Sequence, residues 1–274
     1  AGGKWGQILM GKELGLFNRG NILNDQTLFG VGGGGIDPSG TTLGRIGYGY
    51  IYPNFVPQIT YSTVGGKSAQ LSIGLFSPST FGPYGQLQTP RVEAEFTWKQ
   101  GGIGIFLNGT VQNGKSADSG STSKTATGVG GGIKWAGAQF NISGTGYYGK
   151  GIGTTLQFGG AAADGAGNLR TSYGYVFQAG WNGATTNIEA SYGTSALKLT
   201  SDEVGTGVGK PRMENTLVVV GVYHQLTKSL KGVVEGNYMW SDIKGTDAGV
   251  LVGGPRPYKK NTAFTAAVGA MLFY

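Results

Sequence analysis

Apolar and polar residues alternate along most of this chain with a period of two, the spacing of a β-strand with one face out of water. Arg91–Lys99 shows it most clearly: Val92, Ala94, Phe96 and Trp98 form one face, and Arg91, Glu93, Glu95, Thr97 and Lys99 the other. Ile59 and Tyr61 oppose Gln58, Thr60 and Ser62; Leu71, Ile73 and Leu75 oppose Gln70, Ser72 and Gly74. The alternation returns at Ile103–Gln112, Val129–Trp135, Ala138–Thr145, Tyr173–Asn182, Asn187–Tyr192, Leu230–Trp240 and Phe264–Tyr274. Lys4–Glu13 is strand-like with a less regular pattern, and Thr216–Leu226 is apolar on both faces and has no assignable orientation. The pattern predicts an all-β chain of twelve strands.

The connections carry a second pattern. Short links at Val64–Ser68, Gln100–Gly102, Trp135–Gln139, Asn182–Thr185 and Leu226–Leu230 alternate with long ones at Ser77–Pro90, Gly114–Gly128, Lys150–Ser172, Ser195–Met213 and Ser241–Asn261. One end of the sheet then has tight turns and the other large loops, as in a transmembrane antiparallel β-barrel. Residues 1–274 are expected to form a single barrel domain, closed so that no strand edge meets lipid. Trp98, Trp135 and Trp181 fall at the short-turn end of the apolar face, and Tyr148, Tyr173 and Trp240 toward the long-loop end, the places of two aromatic girdles.

One connection breaks the rule. Residues 14–55 run for about forty positions where a typical link takes about 4–6. They carry Leu16, Phe17, Ile22, Leu23, Leu28, Phe29 and Val31, which need somewhere to pack. Strand parity puts this insert at the long-loop end, and its apolar content predicts that it folds inward. Arg45–Tyr52 is read as part of it, not as a thirteenth strand, and no helical period runs through it.

Composition sharpens this picture. The chain has 55 glycines among 274 residues and only 13% charged residues, about half the charge usual in soluble domains. A lipid-facing exterior needs no such coat. No run approaches the ~18 apolar residues of a spanning helix, and no signal-peptide pattern precedes the first strand, which reads as a mature or trimmed product. There are no cysteines, which excludes disulfides and thiolate metal sites. The net charge of +7 suits anionic lipid headgroups or a bias toward anions. The 21 Lys and Arg are scattered, with no run resembling a nucleic-acid patch.

The polar face would line a water-filled lumen, and it carries both signs: Arg91, Glu93, Glu95, Lys99, Lys134, Glu189, Lys231 and Glu235. Catalysis finds little support. His224, the one histidine, is followed by Gln225 and Leu226, so the His-x-Ser of twelve-stranded outer-membrane phospholipases is absent. Glu93 and Glu95 share a face with Arg91 and Lys99, which suits a mixed-charge lumen better than a carboxylate pair for hydrolysis. Gly30–Gly35 lacks the Gly-Lys-Ser/Thr ending of a phosphate loop. No metal or cofactor is implied. An autotransporter-type translocation barrel is the first rival, but the chain opens on a strand and not on a pore-threading helix. A structural outer-membrane protein with a blocked lumen is the second.

Two stretches resemble the general diffusion porins of the Gram-negative outer membrane. "MGKELGLFNRGNILNDQTLFGVG" at Met10–Gly32, followed by "LGRIGYGYIYPNFVPQITYS", is similar to that family's strand, constriction loop and next strand. The terminal "AVGAMLFY", with Leu272 and Tyr274 in alternating positions, resembles the signature read by the barrel-assembly machinery. The resemblance implies a passive channel for small hydrophilic solutes or ions in the bacterial outer membrane. It also implies a homotrimer among outer-membrane lipid and lipopolysaccharide, and a transverse field at the narrowest point. Asp25 and Asp37 are the acidic candidates for that field, Arg45 and Arg91 the basic ones, with Glu93, Glu95 and Tyr48 beside them. Both aspartates have a plainer reading, Asp25 as a cap or turn in "NILND" and Asp37 as the "DPSG" turn. Family barrels have sixteen strands with the loop after the fifth. Lys4–Glu13 would be that fifth strand, and the four before it, with the main arginine cluster, would be absent: the sequence reads as a fragment, as a barrel whose four strands come from elsewhere, or as a true twelve-stranded relative.

Overall fold

The structure, a computed structural model, describes residues 2–31, 44–65, 68–116, 122–159, 161–204, 211–244, 250–251, 254–255 and 260–273. Twelve long strands follow one another: β1 (Gly6–Leu14), β2 (Phe55–Ser62), β3 (Ala69–Phe76), β4 (Arg91–Gln100), β5 (Ile103–Lys115), β6 (Ser123–Ala136), β7 (Phe140–Lys150), β8 (Thr171–Asn182), β9 (Thr186–Lys198), β10 (Arg212–Gln225), β11 (Leu230–Lys244) and β12 (Asn261–Leu272). Each pairs antiparallel with the next, and a two-residue segment, Gly2–Gly3, pairs back onto the start of β1. Tight turns join β2 to β3, β4 to β5, β6 to β7, β8 to β9 and β10 to β11; every other link is longer. The alternation read from the sequence is therefore a physical property of the sheet. One link is shorter than expected, because β5 and β6 extend their pairing to Lys115 and Ser123.

The two faces are inverted relative to a water-soluble protein. Leu107, Val129, Ile133, Phe177 and Val268 lie exposed on the convex face. Thr110, Gln112, Gln178, Ser191 and Asn237 lie buried on the concave face. Polar residues are ordinarily outside, so this inversion calls for an apolar solvent around the sheet and polar filling within it. Among the described residues no helix is long and apolar enough to cross a membrane.

Among the described residues the sheet is open. It runs from Gly2–Gly3 and β1 at one edge to β12 at the other, and these two edges do not pair. An unpaired backbone group costs several kcal/mol in hydrocarbon. The structure also orients the ambiguous Thr216–Leu226 stretch. Leu217, Val219 and Tyr223 point inward and are buried, while Val220 and Val222 point outward and are exposed. Both faces are apolar because the inner one packs against the insert: Leu217, Val219 and Met239 cluster with Tyr48.

Trp135 and Trp181 are exposed on the convex face, with Trp98 half-buried beside them near the tight turns. Trp5, not anticipated there, joins that end and stacks on Tyr61 at 6.4 Å. Toward the long loops, Tyr175, Tyr192, Tyr238 and Trp240 form a contiguous chain of rings with centroids 5.5–6.4 Å apart. Leu272 ends β12 paired with Leu230, and Tyr274 lies outside the described residues.

Charge on the convex face tests the inversion. Leu107→Arg, in the middle of β5, is expected to lower stability in lipid by about 2–4 kcal/mol, read from denaturant titration of the folded, heat-modifiable band. Asn108→Arg, one residue along on the concave face, is expected to insert into lipid normally and perturb only the insert.

Candidate functional site: the insert on the concave wall

The insert leaves β1 at Gly15 and at once meets β4. Glu93 on that strand is 1% exposed, and its Oε2 accepts the backbone N–H groups of Leu16 at 2.7 Å and Phe17 at 3.0 Å. Its Oε1 accepts Gln157 Nε2 at 2.8 Å and lies 3.0 Å from Arg91 Nε. Arg91 is buried between the rings of Phe76 and Phe158, at 5.5 and 5.4 Å from their centroids. A charge of either sign could not be left unpaired here. One wall carboxylate thus joins the insert, its own strand and the loop between β7 and β8.

From there the insert crosses the concave face strand by strand. Asn18 N–H donates to Asn108 Oδ1 on β5 at 3.3 Å, Arg19 forms an ion pair with Glu95 on β4, and Asn21 Nδ2 donates to the Gly146 carbonyl on β7 at 3.2 Å. Gln178 on β8 accepts from Gln26 N–H at 2.8 Å and donates to the Asn24 carbonyl at 2.6 Å. Val31 N–H reaches Glu235 Oε2 on β11 at 2.8 Å. The returning half is held by Arg45, whose Nη2 donates to Ser191 Oγ at 2.6 Å, and by Gly49 N–H on Ser195 Oγ at 2.9 Å. Gly49 sits at φ 140, and a Cβ there would meet the Tyr175 carbonyl at 2.8 Å. The insert has little regular structure, so its N–H groups depend on the wall for acceptors. The polar residues of the inner face supply them.

The insert contains a helix, Arg19–Leu23, and a 3-10 helix, Gln26–Phe29. These five and four residues were invisible to a periodicity search. Helix packing is close at Gly20, where any Cβ would strike the Phe106 ring. Arg45–Tyr52 forms only isolated bridges, Ile46 to Tyr50 and Tyr52 to Leu156, so it remains within the insert.

The named site residues fall into two groups. Arg91, Glu93 and Glu95 lie together on β4, under the start of the insert. Asp25, Arg45 and Tyr50 form a second buried cluster inside the insert. Asp25 Oδ1 caps the 3-10 helix through Thr27 N–H at 2.9 Å, while Oδ2 accepts Arg45 N–H at 2.9 Å and the Tyr50 hydroxyl at 2.6 Å. The Arg45 guanidinium lies 3.8 Å from the same carboxylate. Asp25 and Arg45 thus neutralise each other within the insert and do not face each other across open space. The capping reading of Asp25 describes its place. Tyr48 packs on Leu217 and Val219, and Asp37 lies outside the described residues.

Beneath the insert, toward the tight turns, is a recess of about 790 Å³ lined by Arg19, Glu95, Lys99, Lys134, Leu23 and Phe106, among others. Glu95 is taken by Arg19, and Lys99 and Lys134 are the other charged residues of this lining. Above the insert, the loop between β7 and β8 packs Ile152, Phe158, Ala162 and Leu169 against Phe17, Ile51, Phe81 and Tyr84. A clamp ties this loop to the next one. Asp164 accepts from Asn168 N–H at 2.7 Å and from the Thr200 hydroxyl, and Arg170 pairs with Glu203. Burial works to raise the Asp164 carboxyl, but the hydrogen bonds from Thr200 and Asn168 outweigh it and hold it below the usual range. The bonds from Arg170, set against burial, hold Glu203 low as well. Gln157, Gln178, Ser191 and Ser195 are the anchors that sequence reading passed over. Gln178 and Ser191 sit at polar positions of the alternation, whereas Ser195 fell in a link and nothing in the loop marks Gln157.

Glu93→Gln removes the counter-ion of buried Arg91 and weakens two insert bonds. It is expected to cost about 3–5 kcal/mol, seen as a lower unfolding midpoint in detergent and as new protease cleavage within residues 14–55. The depressed carboxyls of Asp164 and Glu203 stabilise the loop clamp fully above the ordinary carboxylate pKa of about 4, and that contribution is lost as pH falls through their lower folded values. Hydrogen-exchange protection in residues 151–170, taken relative to the intrinsic rate at each pH, should therefore stay constant from about pH 7 to pH 5 and fall below about pH 4.

No protein-family profile matches the chain, and no curated protein does. Solved structures do. The outer membrane channel DcaP of Acinetobacter baumannii superposes with a TM-score of 0.67 at 15% identity, covering 97% of this chain and 71% of that one. An anion-selective porin from Comamonas acidovorans gives 0.58 at 15% identity, with 99% and 76% covered. OmpT of Vibrio cholerae gives 0.59 at 13% identity, with 99% and 78% covered, and a second OmpT structure is of the trimer form. At these identities the likeness is one of fold: the chain is built on the antiparallel barrel architecture of Gram-negative outer-membrane porins.

Proposed function

We infer that this chain forms the wall and the constriction of a passive diffusion channel in a bacterial outer membrane. The observation that supports this reading above others is the insert. Some forty residues at the long-loop end turn inward and are tied to the concave wall from β4 to β11 by wall side chains. A segment so placed narrows the lumen without being a separate plug domain, and the recess beneath it carries the charged side chains of Arg19, Glu95, Lys99 and Lys134 among apolar ones. Small hydrophilic solutes and ions are the cargo this geometry suits. The structural neighbours are channels, and their fold gives no reason to read this chain as an enzyme. His224 lies exposed near a tight turn, bonded to Thr186 Oγ1 at 2.8 Å.

The buried pairing of Asp25 with Arg45, and of Glu93 with Arg91, shifts the selectivity argument elsewhere. These four charges cancel locally and add little field to the lumen. The recess is instead governed by Lys99 and Lys134, both exposed, and the whole chain carries +7. An anion preference follows, as rings of lysine or arginine give in other pores. A trimer and contact with lipopolysaccharide belong to the same reading. The mixed structure of the insert, not one threading helix, argues against a translocation barrel. The open recess argues against a blocked structural protein.

Planar-bilayer recording of the purified protein is expected to show unitary conductance steps and a reversal potential in a salt gradient that favours anions. Lys99→Gln with Lys134→Gln should shift that potential toward cations while the steps persist. A pure, folded preparation that gives no steps would sink the channel reading, and a cation-selective native channel would sink only the charge argument.

A further inference from the structure

At the long-loop end, three segments enclose a cavity of about 320 Å³. The end of the insert gives Asn54, the link from β3 to β4 gives Ser79 and Thr80, and the loop from β7 to β8 gives Gln157 and Phe158. Arg91, the first residue of β4, also lines it. These walls are held in place. Gln112 on β5 accepts the Ser79 N–H at 2.9 Å and donates to the Ser79 carbonyl. Gln157 N–H donates to the Tyr52 carbonyl at 3.3 Å. Asn54 and Phe158 sit at positive φ, 61 and 63, two of the three non-glycine residues that do so among the described ones. A bulky side chain takes up such backbone only where its surroundings impose it, and strain of this kind gathers at ligand clamps.

Arg91 and Gln157 meet at Glu93, whose acceptor capacity is used up. Its carboxylate accepts the Leu16 and Phe17 N–H groups, Gln157 Nε2 and the Thr110 hydroxyl, which fills its roughly four lone-pair sites. Arg91 Nε lies 3.0 Å from Glu93 Oε1 as an ion pair, without an aligned hydrogen bond. Arg91 is 1% exposed, and among the described residues no acceptor bonds its Nε or Nη2. The Phe76 and Phe158 rings cover the faces of the guanidinium, so a further acceptor has to approach at its edge. Gln157 is buried as well, and among the described residues no donor bonds its Oε1. Its amide cannot be reversed, because Oε1 would then face the Glu93 carboxylate. A free donor and a free acceptor thus flank one cavity, beside two charges that already cancel.

We propose that this cavity is a binding site for a small neutral polyol the size of a monosaccharide. One hydroxyl of a vicinal diol accepts from Arg91, and its neighbour donates to Gln157 Oε1; a hydroxyl is able to do both. A carboxylate would satisfy the guanidinium, but it would leave Gln157 Oε1 without a donor and add an uncancelled charge to a buried neutral pair. An apolar molecule would satisfy neither group. Ser79 and Thr80 add hydroxyls to the lining, and Val56 and Phe158 offer apolar surface to ring carbons. The volume lies at the small end of the about 300–1,000 Å³ of ligand pockets, which favours one ring over a chain of rings. The cavity shares no lining residue with the recess beneath the insert. The site therefore stands apart from the ion preference argued above and does not rest on the channel reading.

The test keeps the full chain in a detergent without a sugar headgroup and titrates it with D-glucose, D-galactose, D-mannose, myo-inositol and acetate, read by saturation-transfer difference NMR. At least one of the four polyols is expected to saturate with a Kd on the order of 1 mM. Thr80 is exposed, so Thr80→Phe fills the cavity without touching Arg91 or Glu93. It should abolish that binding while circular dichroism and heat modifiability stay native. Arg91→Lys keeps a cation beside Glu93 but loses the planar fork, and should weaken binding at least about tenfold. Lys99→Gln with Lys134→Gln should bind as the native chain does. No saturable binding of any of the four polyols overturns the proposal. Unchanged binding in folded Thr80→Phe, or an equal loss in the lysine double variant, overturns its placement. Tighter binding of acetate, lost in Thr80→Phe, overturns the neutral chemistry. Binding is read without conduction, so a preparation that binds a polyol at this site but gives no bilayer steps supports the site and counts against the channel alone.

Discussion

Glu93 holds the arrangement together. Its carboxylate is buried on the concave wall and receives the N–H groups of Leu16 and Phe17 near the start of the insert, the side chain of Gln157 from a long loop, and the guanidinium of Arg91. Backbone that turns inward into a barrel leaves behind the ladder that would satisfy it, and each buried N–H then needs an acceptor. Glu93 is where that need is first met. Asn108, Gln178, Ser195 and Glu235 meet it in turn across the sheet. The inner face of this wall is thus polar for two reasons at once. It faces water where it is open, and it replaces missing backbone partners where the insert covers it.

The same constraint separates two roles for charge. Buried charges are paired closely: Arg91 with Glu93, and Arg45 with Asp25 and the Tyr50 hydroxyl. Such pairs hold geometry and largely cancel in the field. Charges that act at a distance have to be exposed, and here these are Lys99 and Lys134 beneath the insert. A carboxylate and an arginine in one porin-like loop need not face each other across a lumen. Here they lie 3.8 Å apart within it.

Much of this was legible from residue order. Alternation identified the wall strands and the outward face of most of them, because a strand's side chains alternate whatever surrounds it. The rhythm of short and long links showed which end was which. Glu93, Glu95 and Arg91 could be marked as inward-facing but not as anchors, since an acceptor's role depends on which backbone reaches it. Thr216–Leu226 could not be oriented because its inner face packs on Tyr48, more than 160 positions earlier. Gln157 had no mark at all. It sits in a loop, and only the fold brings it to β4.

Local periodicity, side-chain polarity and connection length are properties of neighbouring residues, so the sequence by itself determined an all-antiparallel, lipid-facing wall with one anomalous apolar insert. The path of that insert, the cancellation of Asp25 by Arg45, and the meeting of Arg91 with Gln157 at one cavity depend on register and on contacts between distant segments. Those follow from how strands pair and where orphaned N–H groups find acceptors. The unpaired β1 and β12 edges belong with them, because only three-dimensional pairing shows which backbone groups still lack a partner.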